Sequence, residues 1–173
     1  TEPARAAQEV HEVEQAARRA LRDVREAVAG YRLPTLRGEL EAARQLLAAA
    51  GIAATIAAEA SALNPAVDVT LAWAVREGVT NVIRHSLAGH CTIRLNHKGG
   101  LIAVEVINDG YYESAPIRAA GGGSGLSGLA ERATSQGGRL IAGPNLVDGI
   151  SCYRLRLELP VASGALAAAG QPE

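Results

Sequence analysis

The chain of 173 residues is poor in aromatic side chains, with no Phe, one Trp and four Tyr, and it contains no Met. Hydrophobic residues nevertheless make up 48% of it, so the core must be built from Ala, Leu, Val and Ile. This share excludes a largely disordered chain. Because even an initiator Met is absent, we expect Thr1 to be an internal residue of a longer protein.

The low net charge, the small number of cysteines and the lack of a long apolar run each exclude a class of protein. The net charge is only −1, which argues against a nucleic-acid partner, since such binding needs a basic surface. Two cysteines, Cys91 and Cys152, are too few for a disulfide framework or a zinc site by themselves. No apolar run reaches the ~18 residues of a membrane span, so we expect no membrane contact by this chain. The length suits one domain with an accessory element.

The N-terminal stretch predicts a long amphipathic helix. Between Pro3 and Gly30 there is no internal Gly or Pro, and apolar residues recur at spacings of three and four. A helix of this length needs a partner for its apolar stripe, and we expect either a second copy of the chain or an upstream segment. The stripe consists of Val10, Val13, Ala17, Ala20, Leu21, Val24 and Val28.

The remaining patterns predict an α+β fold. Thr35 is typical of a helix N-cap, and Pro65 of a first helical position. Alternating apolar residues on both sides of Gly99-Gly100 indicate an antiparallel hairpin. We therefore expect a two-layer α/β sandwich with a mixed, mostly antiparallel sheet and helices on one face. The predicted helices are 36–50, 65–87 and 126–136, and the predicted strands outside the hairpin are 52–58, 139–142 and 150–159.

The first motif with chemical potential is the segment REGVTNVIRH, which begins at Arg76. On a helix, Glu77 and Asn81 share a face, and Arg84 and His85 follow one turn later. An acid, a neutral oxygen donor and two cations suit a magnesium-bound polyphosphate, because magnesium prefers hard oxygen ligands. Taken alone, such a segment is more often a solvated amphipathic helix.

Two glycine-containing motifs follow. Asn108-Asp109-Gly110 ends an alternating strand and, taken alone, is an ordinary turn signal. The run GGGSGLSGL from Gly121 leads straight into a predicted helix, whose backbone amides can hold phosphate without a lysine. It lacks the Lys of a Walker loop. The alternative for this run is a flexible linker.

The order and spacing of these motifs resemble the ATP-binding domain of sensor histidine kinases, within the gyrase, Hsp90 and MutL superfamily. The resemblance covers Leu36 to Pro160. The segments TNVIRHS, NDG, GSGLSGLAERA and LRLELP are most similar to kinases of the nitrate-sensor and desaturase-thermosensor type. The segment QAARRALRDVREAVAGYR is similar to the second helix of their dimerisation and phosphotransfer domain. The resemblance implies the Bergerat ATP-binding fold over 35–161 and a dimerisation helix over 1–34. The small and polar residues of 162–173 predict a flexible tail.

The resemblance also implies roles for individual residues. Glu77 would be the catalytic acid that polarises the phosphate-accepting histidine, and Asn81 would bind magnesium. Arg84 and His85 would contact phosphates, and Gly110 would let adenine approach the backbone. The other positions that the resemblance assigns to nucleotide binding are Asn108, Asp109, Gly123, Ser124, Gly125, Leu126, Gly128, Leu129 and Ser151.

Two positions depart from the family pattern. Asn108 stands where the family usually has an aspartate that accepts a hydrogen bond from the adenine amino group. An amide can still accept that bond but loses its charge assistance, so we expect weaker ATP affinity with adenine selectivity kept. Whether Asn108 or Asp109 contacts adenine stays open. Tyr112 replaces the second glycine of the motif, and it could stack on the base, shield it or cover a hydrophobic edge.

The resemblance implies a protein histidine kinase that uses ATP and Mg²⁺ and passes phosphate to a histidine and then to an aspartate of a response regulator. None of the four histidines lies in an acceptor motif, since only His11 precedes an acid, on the helix similar to the second dimerisation helix. We expect the chain to bind ATP but not to autophosphorylate alone. We also expect homodimerisation through the N-terminal helix and a cytoplasmic location, whether or not the parent is membrane-anchored. The alternatives are an anti-sigma-type serine kinase, against which the long helix argues, and a non-catalytic ATP-binding dimerisation module.

Overall fold

The computed structural model describes residues 33–58, 63–110, 124–147 and 149–161. These residues form three helices and five strands, which belong to a unit that begins at Pro34. In chain order the elements are α1 (Leu36–Ala49), β1 (Ala53–Ala57), α2 (Pro65–His85), β2 (His90–Lys98), β3 (Leu101–Asn108), α3 (Ser124–Ser135), β4 (Arg139–Val147) and β5 (Ile150–Pro160).

The helix starts follow from local sequence, as predicted. The Thr35 hydroxyl accepts a hydrogen bond from the backbone N–H of Gly38 at 3.2 Å and caps α1. Asn64 caps α2 in the same way, accepting from the N–H of Ala66 at 2.9 Å, and Pro65 follows in the first turn. Both helices therefore begin where the sequence predicts.

The five strands form one sheet in the order β1-β2-β3-β5-β4. β1 pairs with β2 in parallel, and the other three pairs are antiparallel, which confirms the predicted mixed sheet. The hairpin between β2 and β3 turns through Gly99 and Gly100, whose φ angles of 61° and 75° favour glycine. The helices cover one face, where the largest fully buried side chains include Leu36, Leu47, Leu71, Val75, Ile93, Val104, Leu155 and Leu157.

The contact between α2 and β3 is unusually close. A Cβ placed on Gly78 would lie 2.7 Å from Cγ2 of Val106, closer than real Cβ atoms come. Gly78 therefore lets the helix backbone approach the sheet. This approach sets the position of the second half of α2, where Glu77 and Asn81 lie.

The strand β4 is longer than predicted. The sequence predicts this strand only to Ala142, but β4 runs to Val147 and contains Pro144. The physical reason is its place at the edge of the sheet, where a proline can lie with its donor-free nitrogen away from the neighbouring strand.

The other face of the sheet carries a charged network. Glu105 of β3 and Glu158 of β5 are buried, and Arg156 pairs with both, at 2.7 and 2.6 Å. Arg139 also pairs with Glu158. Hydrogen bonds from Arg139 and then Arg156 hold the pKa of Glu158 below its usual range, so that the carboxylate stays charged when buried.

Several predictions made from the sequence fall outside the described residues. They are the N-terminal helix, the tail after Val161, Tyr112 and Gly123. None of the three described helices combines the length and the hydropathy needed to cross a membrane.

Candidate functional site

The second half of α2 carries the four side chains of the first motif. Glu77 and Asn81 are half-buried and lie one helical turn apart, as predicted, whereas Arg84 and His85 are exposed in the last turn. The charge of Arg84 is favourable there, because the C-terminal end of a helix carries partial negative charge. The helix therefore presents an acid and an amide near the core, and a guanidinium and an imidazole nearer to solvent.

The start of α3 lies directly against Glu77. A Cβ placed on Gly125 would overlap the carboxylate of Glu77, so a side chain at this position would displace that carboxylate from the backbone of α3. Leu129 is buried and Leu126 packs against the core, which anchors the first turns of α3. The N-terminal end of α3, whose partial positive charge favours anions, is thus placed beside the predicted catalytic acid.

The remaining residues of the glycine-rich motif have less defined surroundings. Gly128 has open space where a Cβ would be, and Ser127 is exposed. Ser124 is the first residue of α3, but its side chain is not among the described groups, and Gly123 lies outside the described residues. The structure therefore places Gly125, Leu126, Gly128 and Leu129 of the predicted loop residues.

At the end of β3, Asn108 and Asp109 have different surroundings. Asn108 is buried, and its Nδ2 donates a hydrogen bond to the backbone carbonyl of Asp109 at 2.6 Å. Asp109 is turned towards β2, where its Oδ1 accepts from the backbone N–H groups of Gly89 and His90 at 2.9 and 2.8 Å. Asp109 thus holds the start of β2, whereas the side-chain amide of Asn108 is fixed at the strand end.

Gly110 requires glycine for a local reason. Its φ is 69°, and a Cβ there would lie 2.5 Å from the backbone oxygen of Leu87. The turn after β3 therefore packs tightly on the segment after α2. This contact brings the end of β3 next to the end of the helix that carries Asn81.

The fifth strand contributes Ser151 and Tyr153 near the same end of the sheet. Ser151 is exposed and pairs with Leu146 of β4. Tyr153 is half-buried and pairs in register with Asn108. Tyr153 could not be placed from the sequence, because nothing in the sequence states that β5, rather than β4, lies beside β3.

Cys91 lies opposite Asn108 in the neighbouring strand β2. Burial, assisted by the nearby charge of Asp109, raises the pKa of its thiol to about 12. The thiol is therefore neutral at physiological pH and is not a nucleophile, since only the thiolate reacts. Cys91 and Cys152 are both free and buried.

Two further residues near the site were not singled out by the sequence. Trp73, one turn before Glu77 on α2, lies under two guanidinium groups, those of Arg76 at 4.7 Å and Arg132 of α3 at 5.7 Å from the ring centroid. The only signal in the sequence was that Trp73 is the single tryptophan and precedes Glu77 by four residues.

The arrangement suits a phosphorylated ligand with a hard metal ion. Among the described residues there is no cluster of three or more His, Cys, Asp or Glu side chains that could hold a metal. Magnesium does not need such a cluster, because it keeps several waters and binds through one or two protein oxygens and the phosphates of its ligand. The amide oxygen of Asn81 fits this donor set. The N-terminal end of α3 suits the phosphates of such a ligand, because helix N-termini bind anions.

The chain is similar in sequence to two curated proteins of Bacillus subtilis strain 168. It is 33% identical to the sensor histidine kinase YvfT over 134 residues, which are 76% of this chain and 35% of that protein. It is 31% identical to the sensor histidine kinase DesK over 144 residues, which are 80% of this chain and 38% of that protein. The chain thus spans little more than a third of these relatives. No family model matches it.

Solved structures with the same fold include the histidine kinase domain of the blue-light activated histidine kinase of Erythrobacter litoralis EL346. The TM-score is 0.58 at 16% identity, over 78% of this chain and 67% of that one. The histidine kinase AdeS of Acinetobacter baumannii gives a TM-score of 0.55 at 13% identity, over 76% of this chain and 68% of that one.

The fold is therefore that of histidine kinase catalytic domains, as expected from the motifs. The sequence matches add the particular group: the chain is a relative of the sensor histidine kinases. Histidine kinase catalytic domains use ATP, generally with Mg²⁺, and sensor histidine kinases generally dimerise and act with response regulators.

Proposed function

We propose that this chain is the ATP-binding catalytic portion of a two-component sensor histidine kinase. The observation that carries the proposal is the meeting of three elements: Glu77 and Asn81 on α2, the N-terminal end of α3 at Gly125, and Asn108 at the end of β3. Relatedness to sensor histidine kinases supports the same conclusion. The proposed domain limits are 1–34 for a dimerisation helix, 35–161 for the catalytic domain and 162–173 for a tail.

Each residue group has a proposed task at the nucleotide. The amide oxygen of Asn81 binds the magnesium ion, and Arg84 and His85 contact the phosphates. The backbone amides at the start of α3 hold phosphate oxygens. The hydrogen bond from Nδ2 of Asn108 to the Asp109 carbonyl leaves the side-chain oxygen of Asn108 to accept from the adenine amino group. When bound, the magnesium nucleotide supplies the phosphoryl group and offsets its charge.

Glu77 orients and polarises the acceptor imidazole, which belongs to the dimerisation segment of the intact kinase. Glu77 is half-buried beside the start of α3, so its carboxylate lies close to the proposed phosphate positions. The rest of the catalysis is positioning and charge neutralisation, as in other phosphoryl transfers. The phosphohistidine then serves a response regulator aspartate. The proposed dimer forms through the N-terminal helix, and the proposed location is the cytoplasm.

Substitution of Glu77 separates chemistry from binding. In the intact kinase we expect Glu77→Gln to lower phosphohistidine formation from Mg-ATP by about 100-fold or more, the usual contribution of a general acid or base. Nucleotide binding should change little, because the amide is isosteric with the carboxylate. The measurement is transfer of labelled γ-phosphate to protein, read as acid-labile phosphate, beside a binding titration of the same variant.

The matched control is Glu41→Gln. Glu41 is an exposed acid on α1 that pairs with Arg44, and its loss should leave labelling unchanged. Normal labelling by a folded Glu77→Gln variant would overturn the role of Glu77.

A further inference from the structure

Helix α3 lies along α2 through a series of side-chain contacts. Gly125 at the start of α3 touches Glu77, and Arg132 in its last turn lies over Trp73. Directly after α3, Nε2 of Gln136 donates to the hydroxyl of Thr70 at 2.6 Å. The residue numbers rise along α3 while they fall along α2, so the two segments run antiparallel and stay in contact over about two turns of α2.

Trp73 is the centre of this series and is itself held in place. Arg76, whose guanidinium carbon lies 4.7 Å from the ring centroid, donates to both carboxylate oxygens of Glu39 on α1, at 3.0 and 2.5 Å. This bidentate pair fixes the guanidinium plane. The indole ring also packs against the core. The ring is therefore held in place by α1 and by the core, independently of α3.

Arg132 of α3 contacts the Trp73 ring of α2. Its guanidinium carbon lies 5.7 Å from the ring centroid, within the range in which a cation is attracted to an indole. Arg132 lies in the last turn of α3, so its contact with the ring joins that end of the helix to α2. A rotation or shift of α3 that breaks this contact would also move Gly125 away from Glu77, since both residues belong to one helix.

We propose that Trp73 is a positioning residue for nucleotide binding, which acts through Arg132 to hold the N-terminal end of α3 beside Glu77. This inference rests on the proposed function, because the ligand that benefits is the magnesium nucleotide. The proposed role requires no contact between Trp73 and the nucleotide. It determines how often α3 is in the orientation that can bind phosphate, and so it changes apparent affinity.

The experiment measures the affinity of the full chain for a non-hydrolysable ATP analogue with Mg²⁺ by titration calorimetry. The variants are Trp73→Leu, Trp73→Phe and Arg132→Gln. We expect Trp73→Leu and Arg132→Gln to weaken binding by about two- to five-fold, the range for loss of one exposed cation–π contact. Trp73→Phe keeps a ring and should retain most of the affinity. The double variant Trp73→Leu/Arg132→Gln should bind no more weakly than Trp73→Leu alone, because both changes remove one contact.

The control is Arg44→Gln, which removes an exposed arginine from α1 and should leave affinity unchanged. Thermal unfolding of every variant shows whether the fold is kept. The inference is overturned if Trp73→Leu and Arg132→Gln lower the melting temperature yet bind the analogue as tightly as the parent chain, since Trp73 would then be purely structural. Failure of the parent chain to bind any nucleotide would instead overturn the proposed function itself.

Discussion

Asn108 shows how one side chain can serve both the fold and the proposed ligand. The resemblance to histidine kinases leads us to expect an aspartate at this position. In this chain the amide donates to the carbonyl of Asp109, which a carboxylate cannot do. Asp109 in turn holds the first residues of β2 through two backbone hydrogen bonds. The asparagine therefore suits this strand end, because the neighbouring carboxylate of Asp109 already accepts hydrogen bonds from Gly89 and His90.

We predict that Asn108→Asp destabilises the free chain by about 1–3 kcal/mol, because a buried donor is lost and a second charge is placed beside Asp109. Urea unfolding at pH 7 measures the change. The matched control is Asn64→Asp, in which the side-chain oxygen that caps α2 is kept, so stability should hardly change. If Asn108→Asp proved as stable as the parent chain, the bond to the Asp109 carbonyl would not determine the choice of residue.

For single residues, the sequence predicts hydrogen-bond partners that are near in the chain and misses those that are distant in the chain. The cap Thr35 could be predicted, since its hydroxyl bonds a backbone group three residues away. The partners of Asp109 are 19 and 20 residues away in sequence, on another strand. Such a pairing depends on strand register, which a single sequence does not state.

At the scale of elements, the packing of α2 on β3 determines where the proposed site lies. Gly78 is the position of closest approach, with the methyl groups of Val106 filling the space of the missing side chain. Glu77 precedes Gly78, and Asn81 follows within one turn, so this contact also sets their distance from the end of β3. The sequence gives no sign that this glycine faces a strand rather than solvent.

We predict that Gly78→Ala destabilises the chain by about 1–3 kcal/mol, the usual cost of overpacking a core. A loss of stability would be informative, because alanine is the better helix former by about 1 kcal/mol and would otherwise stabilise α2. The double variant Gly78→Ala/Val106→Ala should lose less than the sum of the single changes, since the smaller residue makes room for the new methyl group. Chemical denaturation of the four proteins measures this coupling. Equal or greater stability of Gly78→Ala would contradict the close contact.

The predicted elements agree with the structure wherever a periodic pattern had clear ends, as in α1 and in the hairpin of β2 and β3. They differ at β4, because the tolerance of Pro144 depends on the edge position of the strand and not on its own residues. The order β3-β5-β4 likewise follows from packing. For this reason the approach of Tyr153 to Asn108 could not be predicted.

At the scale of the whole molecule, the described residues form the catalytic fold of histidine kinases, and the sequence matches cover little more than a third of YvfT and DesK. The motif order predicted this fold although each motif alone had an ordinary explanation. The proposed function depends on whether α2, α3 and the end of β3 bind a magnesium nucleotide together.

The most direct test is a calorimetric titration of the chain with a non-hydrolysable ATP analogue, with Mg²⁺ and with a chelator. We predict binding to one site that is stronger with Mg²⁺, and an Asn81→Ala variant that folds normally but loses this dependence on the metal. Bound nucleotide should also raise the free energy of unfolding, by about 2.7 kcal/mol at 100 times the dissociation constant. Absence of binding at millimolar nucleotide, or an unchanged magnesium dependence in Asn81→Ala, would contradict the account.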